Sequence, residues 1–260
     1  MNASRILYLW LFAAMLAFLS TPAFGQGFLK TYQPSGSSSR SVVQASDGGY
    51  FMAGEIPPSQ MFLQKTNSVG NEVWTNHLSL GGARAIGTCL APDGGFVVLA
   101  ENFNEAGSLK NLVFKLSPAG ALLWQDTVDN TFLANGLRDI LTTSDGNILA
   151  VGDSRDGQLN QDVWLIKFDQ NGNTLWSQKF GDADFNEQVA SVVELPNGDI
   201  AVCGAGMHGA DRDLFLAKTD AAGNLLWEQW YTKPATQISY DLLSDRKSTR
   251  LNSSHTDISR

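Results

Sequence analysis

Asp182, Asp184 and Asn186 alternate in the segment Asp182-Ala183-Asp184-Phe185-Asn186, the 1, 3, 5 oxygen spacing of a calcium loop. Two carboxylates and an amide at such positions can turn toward one hard cation. The match is partial. Glu187 stands where the loop wants glycine at position 6, and Val193 stands where it wants a bidentate glutamate at position 12. A solvated polar loop is the plainer account, and calcium is the one cofactor these residues leave open. A second acidic segment, Asp153–Asp162 (DSRDGQLNQD), has carboxylates and a glycine but no ligand register. His77 and His208 are isolated from cysteine or carboxylate at ligand spacing, so they do not make a zinc site. Neither a Gly-x-Ser-x-Gly elbow nor a phosphate-binding loop occurs. No residue is assigned to catalysis or to an organic cofactor.

The elements that must position these groups follow from a repeat. One ten-residue block occurs four times without internal gaps: KTNSVGNEVW, KLSPAGALLW, KFDQNGNTLW and KTDAAGNLLW, starting at Lys65, Lys115, Lys167 and Lys218. Its tryptophans are Trp74, Trp124, Trp176 and Trp227, separated by 50, 52 and 51 residues. A fixed period near fifty means that one supersecondary unit is stacked. In phase with the block run SDGGYFMAG, PDGGFVVLA, SDGNILAVG and PNGDIAVCG. Asp-Gly and Asn-Gly between apolar runs are strong hairpin signals, and a two-residue type I′ turn is the expected geometry.

In the third repeat the pattern predicts strands over residues 137–143, 147–152, 163–168 and 174–180, with Gly172 in a left-handed turn position. Runs such as Phe96–Ala100 (FVVLA) are apolar at every residue, which calls for a sheet covered on both faces. Four-stranded antiparallel meanders stacked at this period describe the blades of a β-propeller, and the fold class is all-β. The repeats occupy about residues 41–83, 84–136, 137–187 and 188–237. Gly27–Tyr32 (GFLKTY) resembles a further fourth strand, and Ile238–Leu243 (ISYDLL) a further first strand. Four full repeats with partial ones at both ends imply an incomplete ring of at least five native blades.

Both ends look foreign to the repeat. Met1–Gly25 has the positive start, apolar core and small-residue cleavage site of a secretory signal peptide. Its apolar run is shorter than the ~20 residues of a membrane span, and no other segment predicts one. Asp245–His255 (DRKSTRLNSSH) resembles the translation of a sequencing adapter. On that reading residues 245–260 are not native and the natural product is longer.

The whole chain carries −8. Without Arg5 and the four cationic residues of the tail, 13 lysines and arginines remain. Without Asp245 and Asp257, 24 acids remain, a net −11 for residues 26–244. That excludes the basic footprint a nucleic acid or an anionic membrane needs. Cys89 and Cys203 fall in apolar runs of non-adjacent repeats, too far apart for a disulfide, and are expected as buried free thiols.

The repeat resembles secreted bacterial β-propeller repeat proteins over about Phe28–Leu243, in its DGG-apolar-G and K-x4-G-x3-W motifs. The resemblance implies export to the cell surface or beyond. A quinoprotein-like propeller is the rival resemblance, because there too a tryptophan four residues after a glycine docks on the next blade. The basic and calcium-binding residues a quinone would need are missing here, so the tryptophans are expected to pack between blades. The turns on one rim are short and uniform. The connections on the other rim vary, and they carry Phe103, Phe132, Arg155, Phe185, His208 and Arg212. Variable loops on a rigid scaffold are where binding resides. The expected function is a secreted or surface binding or scaffold module for a glycan or protein. A glycan-active hydrolase or lyase is the alternative.

Overall fold

The computed structural model describes residues 29–32, 36–57, 60–78, 80, 82–103, 109–128, 136–155, 161–181, 186–208, 211–231, 241–244 and 249–252. Its strands all belong to the compact unit that begins at Tyr32. Every regular element among them is a β-strand. The first sheet is β1 (Ser38–Gln44), β2 (Tyr50–Ile56), β3 (Gln60–Thr66) and β4 (Glu72–Leu78). The second is β5 (Arg84–Leu90), β6 (Phe96–Phe103), β7 (Leu109–Leu116) and β8 (Leu122–Val128). The third is β9 (Gly136–Thr142), β10 (Ile148–Arg155), β11 (Gln161–Phe168) and β12 (Thr174–Phe180). The fourth is β13 (Asn186–Glu194), β14 (Ile200–His208), β15 (Asp211–Thr219) and β16 (Leu225–Tyr231). Each pairs in sequence order, antiparallel throughout. One parallel bridge, Gln161 to Asn186, joins the third and fourth.

The hairpin loops differ from the expected two-residue turns. In the first, Gly48 N–H donates to Ala45 O at 2.9 Å and Ala45 N–H to Gly49 O at 2.9 Å. That is a three-residue loop, Ser46-Asp47-Gly48, closed by a glycine at φ +79°. The same bond pair closes the loop at Gly172, where φ is +88°. A glycine after two ordinary turn residues suffices, so the second positive φ of a type I′ turn is not needed.

In the second and third sheets, the second and third strands are buried on both faces because each face meets a neighbouring sheet. Phe96, Val98 and Ala100 pack on Phe51, Ala53 and Leu63 of the first sheet. The alternate residues Val97 and Leu99 pack on Ile148, Ala150 and Trp164 of the third. Leu149, Val151, Val163 and Leu165 then meet Val202, Phe215 and Ala217 of the fourth. The period of two thus sorts one continuous apolar run into two interfaces. Cys89 is buried in the core between the second and third sheets and Cys203 in a small cluster of the fourth, and neither forms a disulfide.

The tryptophans tie each sheet to the next. Trp74 Nε1 donates to Pro118 O at 3.0 Å, and Trp124 Nε1 to Gln170 O at 2.9 Å. Their rings cover the turn glycines: a methyl at Gly120 would stand 3.0 Å from Trp74, and one at Gly172 2.8 Å from Trp124. Trp176 covers Gly223 in the same way. Trp227 is 44% exposed.

Three sequence expectations shift. Leu29–Tyr32 is irregular rather than a strand; the Tyr32 hydroxyl donates to Gly70 O at 2.9 Å. The composition of Ser35–Ser39 (SGSSS) is that of a flexible connector, yet Ser38 and Ser39 belong to β1, because pairing with Glu55 and Gly54 overrides it. The expected strand at 238–243 is observed as β17 (Asp241–Ser244), and it pairs with β18 (Thr249–Asn252), inside the adapter-like segment. Residues 238–240 and the signal-peptide segment lie outside the described residues.

Candidate binding rim

The eight glycine turns close one end of the sheets. The opposite rim is where first strands begin, second strands end and third strands begin. Every first strand of the four full sheets carries a β-bulge near that rim, at Arg40, Ile86, Arg138 and Ala190. Bulges re-aim a side chain without breaking the sheet.

Two of those bulges aim arginines at carboxylates. Arg40 Nη2 meets Glu55 Oε1 at 2.8 Å, and Arg138 Nε meets Asp153 Oδ1 at 3.4 Å. In the second sheet Ile86 takes the bulge, and Arg84, directly opposite Glu101 in the ladder, makes the pair instead. Glu55, Glu101 and Asp153 occupy one equivalent place near the end of the second strand. The fourth sheet has Ala205 there, and Arg212 donates to Gln188. The three paired arginine side chains are 48%, 42% and 44% exposed, whereas the Asp153 side chain is 1% exposed. A buried acid therefore orients a half-exposed guanidinium.

The electrostatics differ along the row. The Arg40 hydrogen bond holds the Glu55 carboxyl below the usual glutamate range. Burial pushes Asp153 up, outweighing Arg138, the Gln161 amide that also donates to it, and Arg155. Gly136 makes room for this arrangement, since a methyl there would stand 3.0 Å from Arg138 Cζ.

Below the rim, Asp139 joins the third sheet to the fourth. Its Oδ2 accepts from Ser191 Oγ at 2.8 Å and from Val192 N–H at 2.9 Å, and Ile140 N–H donates to Oδ1. Ser191 Oγ also lies 3.2 Å from Asp241 Oδ1. Burial, with Asp241 adding to it, raises the Asp139 pKa.

Of the calcium candidates, Asp182 and Asp184 lie outside the described residues. Asn186 opens β13, and its Oδ1 accepts Gln161 N–H at 3.1 Å at the bridge between the third and fourth sheets. No cluster of three or more metal-binding side chains occurs among the described residues. His77 is exposed on β4 beside Phe62, with ring centroids 6.3 Å apart. His208 and Phe103 end β14 and β6, Arg155 ends β10, and Phe132 and Phe185 lie outside the described residues. Sequence reading singled out Arg155 and Arg212 but passed over Arg40, Arg84 and Arg138. Their signal was an arginine ahead of each hairpin in three successive repeats, blurred because Arg84 stands two places earlier in its repeat.

No helix of the described residues is long and apolar enough to cross a membrane. No protein-family model matches the chain, and no curated protein matches it. Solved structures do. A Hadza microbial sialidase, Hz136, superposes with a TM-score of 0.50 at 10% identity, over 76% of this chain and 47% of that one. A Bacteroides caccae protein of unknown function gives 0.37 at 13% identity, over 78% and 85%. A thermostable family-43 glycoside hydrolase gives 0.46 at 11%, over 80% and 78%. At 10% identity the sialidase likeness concerns fold alone, and this chain spans about half of that protein. Four-stranded antiparallel sheets stacked face to face fit a β-propeller.

Proposed function

We propose that the chain is a secreted or cell-surface β-propeller, its four sheets the blades, that binds a glycan on the variable rim. One observation carries this reading. Glu55, Glu101 and Asp153, the rim carboxylates at the equivalent place in three sheets, are each held by an arginine. A general acid must release its proton to a leaving group, and a nucleophilic carboxylate must reach an anomeric carbon. A carboxylate locked to a guanidinium instead fixes a donor fork in place, which serves recognition. The acidic balance of the chain and the resemblance to exported repeat proteins support an extracellular setting without nucleic acid.

The test is binding of the full chain to a glycan array, followed by titration of Arg138→Ala and Arg84→Ala variants against the strongest hit. Loss of binding in both, with the melting profile kept, supports the rim. Unchanged binding in both removes it.

A second reading, glycan hydrolysis, rests on Asp139 and Asp241, which both lie within hydrogen-bond distance of Ser191 Oγ. One is buried with a raised pKa and the other is exposed, the asymmetry that an acid and its partner need. Hydrolysis of aryl glycosides, abolished by Asp139→Asn and by Asp241→Asn, would favour the enzyme. Turnover unaffected by either would discard this pair.

A further inference from the structure

The fourth strands form the outer edges of their sheets, and β16 is unlike the other three. Among the described strands it pairs with β15 alone. In β4, β8 and β12 the tryptophan and the residue four places on pack into the core shared with the next sheet. Trp74 and Leu78 do so toward the second sheet, Trp124 and Val128 toward the third, and Trp176 and Phe180 toward the fourth. In β16 the same two places are Trp227 and Tyr231, each 44% exposed. Leu225 and Leu226 are exposed as well, so β16 shows four large apolar side chains to solvent. β4 shows Val73, β8 shows Leu122 and Leu123, and β12 shows Leu175. If any outer edge recruits another strand, β16 is the edge that buries the most apolar surface by doing so.

From this we propose that β16 pairs antiparallel with β16 of a second copy of the chain, about a two-fold axis at Gln229. An antiparallel pair of identical strands is self-complementary, so one edge serves both copies. The residues decide the register. The bulge of β16 lies at Leu226, and its ladder with β15 is regular over Trp227–Tyr231, a stretch centred on Gln229. With Gln229 on the axis, Trp227 stands opposite Tyr231 of the second copy, and this happens twice. Aromatic cross-strand pairs stabilise a sheet. Glu228 then stands opposite Trp230. An axis at Glu228 would set two glutamates against each other in a chain that already carries −8. The fourth sheets of the two copies become one sheet, and the rings that β16 leaves open cover one another. The pairing does not rest on the glycan reading.

The experiment is sedimentation velocity of the full chain over a concentration series reaching the hundred-micromolar range. The expected result is a concentration-dependent dimer. Trp227→Lys and Tyr231→Lys place a cation on the edge, the common guard against strand pairing, and should each weaken the dimer at least tenfold. Leu175→Lys, on the outer edge of the third sheet, should leave it unchanged. Opposed side chains of an antiparallel pair stand about 4.5–5.5 Å apart at Cβ, close to the separation a disulfide spans. Gln229→Cys should therefore form a covalent dimer on mild oxidation, and Glu228→Cys should not. Cys89 and Cys203 are buried and do not compete. A chain that stays monomeric throughout the series overturns the proposal. A dimer of unchanged affinity in both lysine variants overturns it as well, because the contact then lies elsewhere. Cross-linking through Glu228→Cys in preference to Gln229→Cys overturns the register. If a lysine variant loses its melting transition, the Gln229→Cys cross-link still decides.

Discussion

Asp199 Oδ2 meets Lys218 Nζ at 2.6 Å even though Asp199 follows its turn glycine, whereas Asp47, Asp93 and Asp145 precede theirs. All four sheets thus join the lysine of the ten-residue block to a carboxylate of the first hairpin, at 2.6–2.8 Å. The lysines of the first three sheets are nearly buried, and their acids are half-exposed or more. A buried ammonium without its acid keeps its desolvation cost and loses its compensation. Asp145→Asn should therefore lower stability by about 1 kcal/mol, the low end for a lost charged hydrogen bond, because solvent screens the half-exposed acid. Asp199→Asn should also lower the urea midpoint. Adding Asn197→Asp, which restores the position used in the other sheets, should recover it. Failure of the double variant to recover would show that position, not pairing, matters in the fourth turn.

The same pairs set the acid limit of the fold. The lysine hydrogen bonds hold Asp47 and Asp199 below 3.8. For Asp93 and Asp145 burial pulls upward, but the lysine and turn hydrogen bonds bring the net value below 3.8. Each carboxyl binds its proton less readily folded than unfolded. The stability they add is complete above pH 3.8 and disappears as pH falls through the lower folded values. Asp139 and Asp153 act in the opposite sense. Burial raises both, so their ionisation works against the fold as pH climbs from 3.8 through their folded values. Urea midpoints measured from pH 2 to 7 should fall steeply below about pH 4 in the wild type, and less steeply in Asp145→Asn. An unchanged acid slope in the variant would place the acid sensitivity elsewhere.

The tryptophans should divide into two energetic classes. Trp124 covers Gly172 and donates to Gln170 O, so Trp124→Ala should cost about 3 kcal/mol through lost packing and an orphaned carbonyl. Gly172→Ala should cost about 1–3 kcal/mol, because the methyl strikes the Trp124 ring and the site has positive φ. Trp227 is exposed, and Trp227→Ala should change stability by less than about 0.5 kcal/mol. Equal losses for Trp124→Ala and Trp227→Ala in urea titrations would refute docking as the reason for the tryptophan.

These contrasts also show what the repeat made legible. The spacing of the glycine and tryptophan predicted the third and fourth strands, and residues 174–180 coincide with β12. Those positions are local, and their geometry follows from one turn. The Lys65–Asp47 pair was visible as two recurring residues, but their meeting depends on the register of two strands across a hairpin. The rim pairs were harder still. Arg40 and Arg138 sit on the bulge, whereas Arg84 stands two positions before the bulge at Ile86, so aligned repeats show an arginine that wanders while its partner stays fixed. Ser38 and Ser39 read as linker because composition carries no record of the strand waiting at Gly54 and Glu55.

Cysteine chemistry offers a direct probe of the second interface. Cys89 lies in the core between the second and third sheets, and burial pushes its thiol up to about 12. The thiolate is the reactive form, so at pH 8 Cys89 should be essentially inert in the folded chain. Cys203 is fully buried as well, in the fourth sheet. Iodoacetamide at pH 8 should leave both unmodified by mass spectrometry in buffer and alkylate both in urea. Because Cys89 lies between the second and third sheets and Cys203 within the fourth, their exposure during a urea titration reports whether the stack opens as one unit. Coincident labelling midpoints are expected, since continuous apolar strands such as Val97–Leu99 serve two interfaces at once and cannot lose one without loosening the other. Labelling of Cys203 well before Cys89 would show instead that the fourth sheet opens separately.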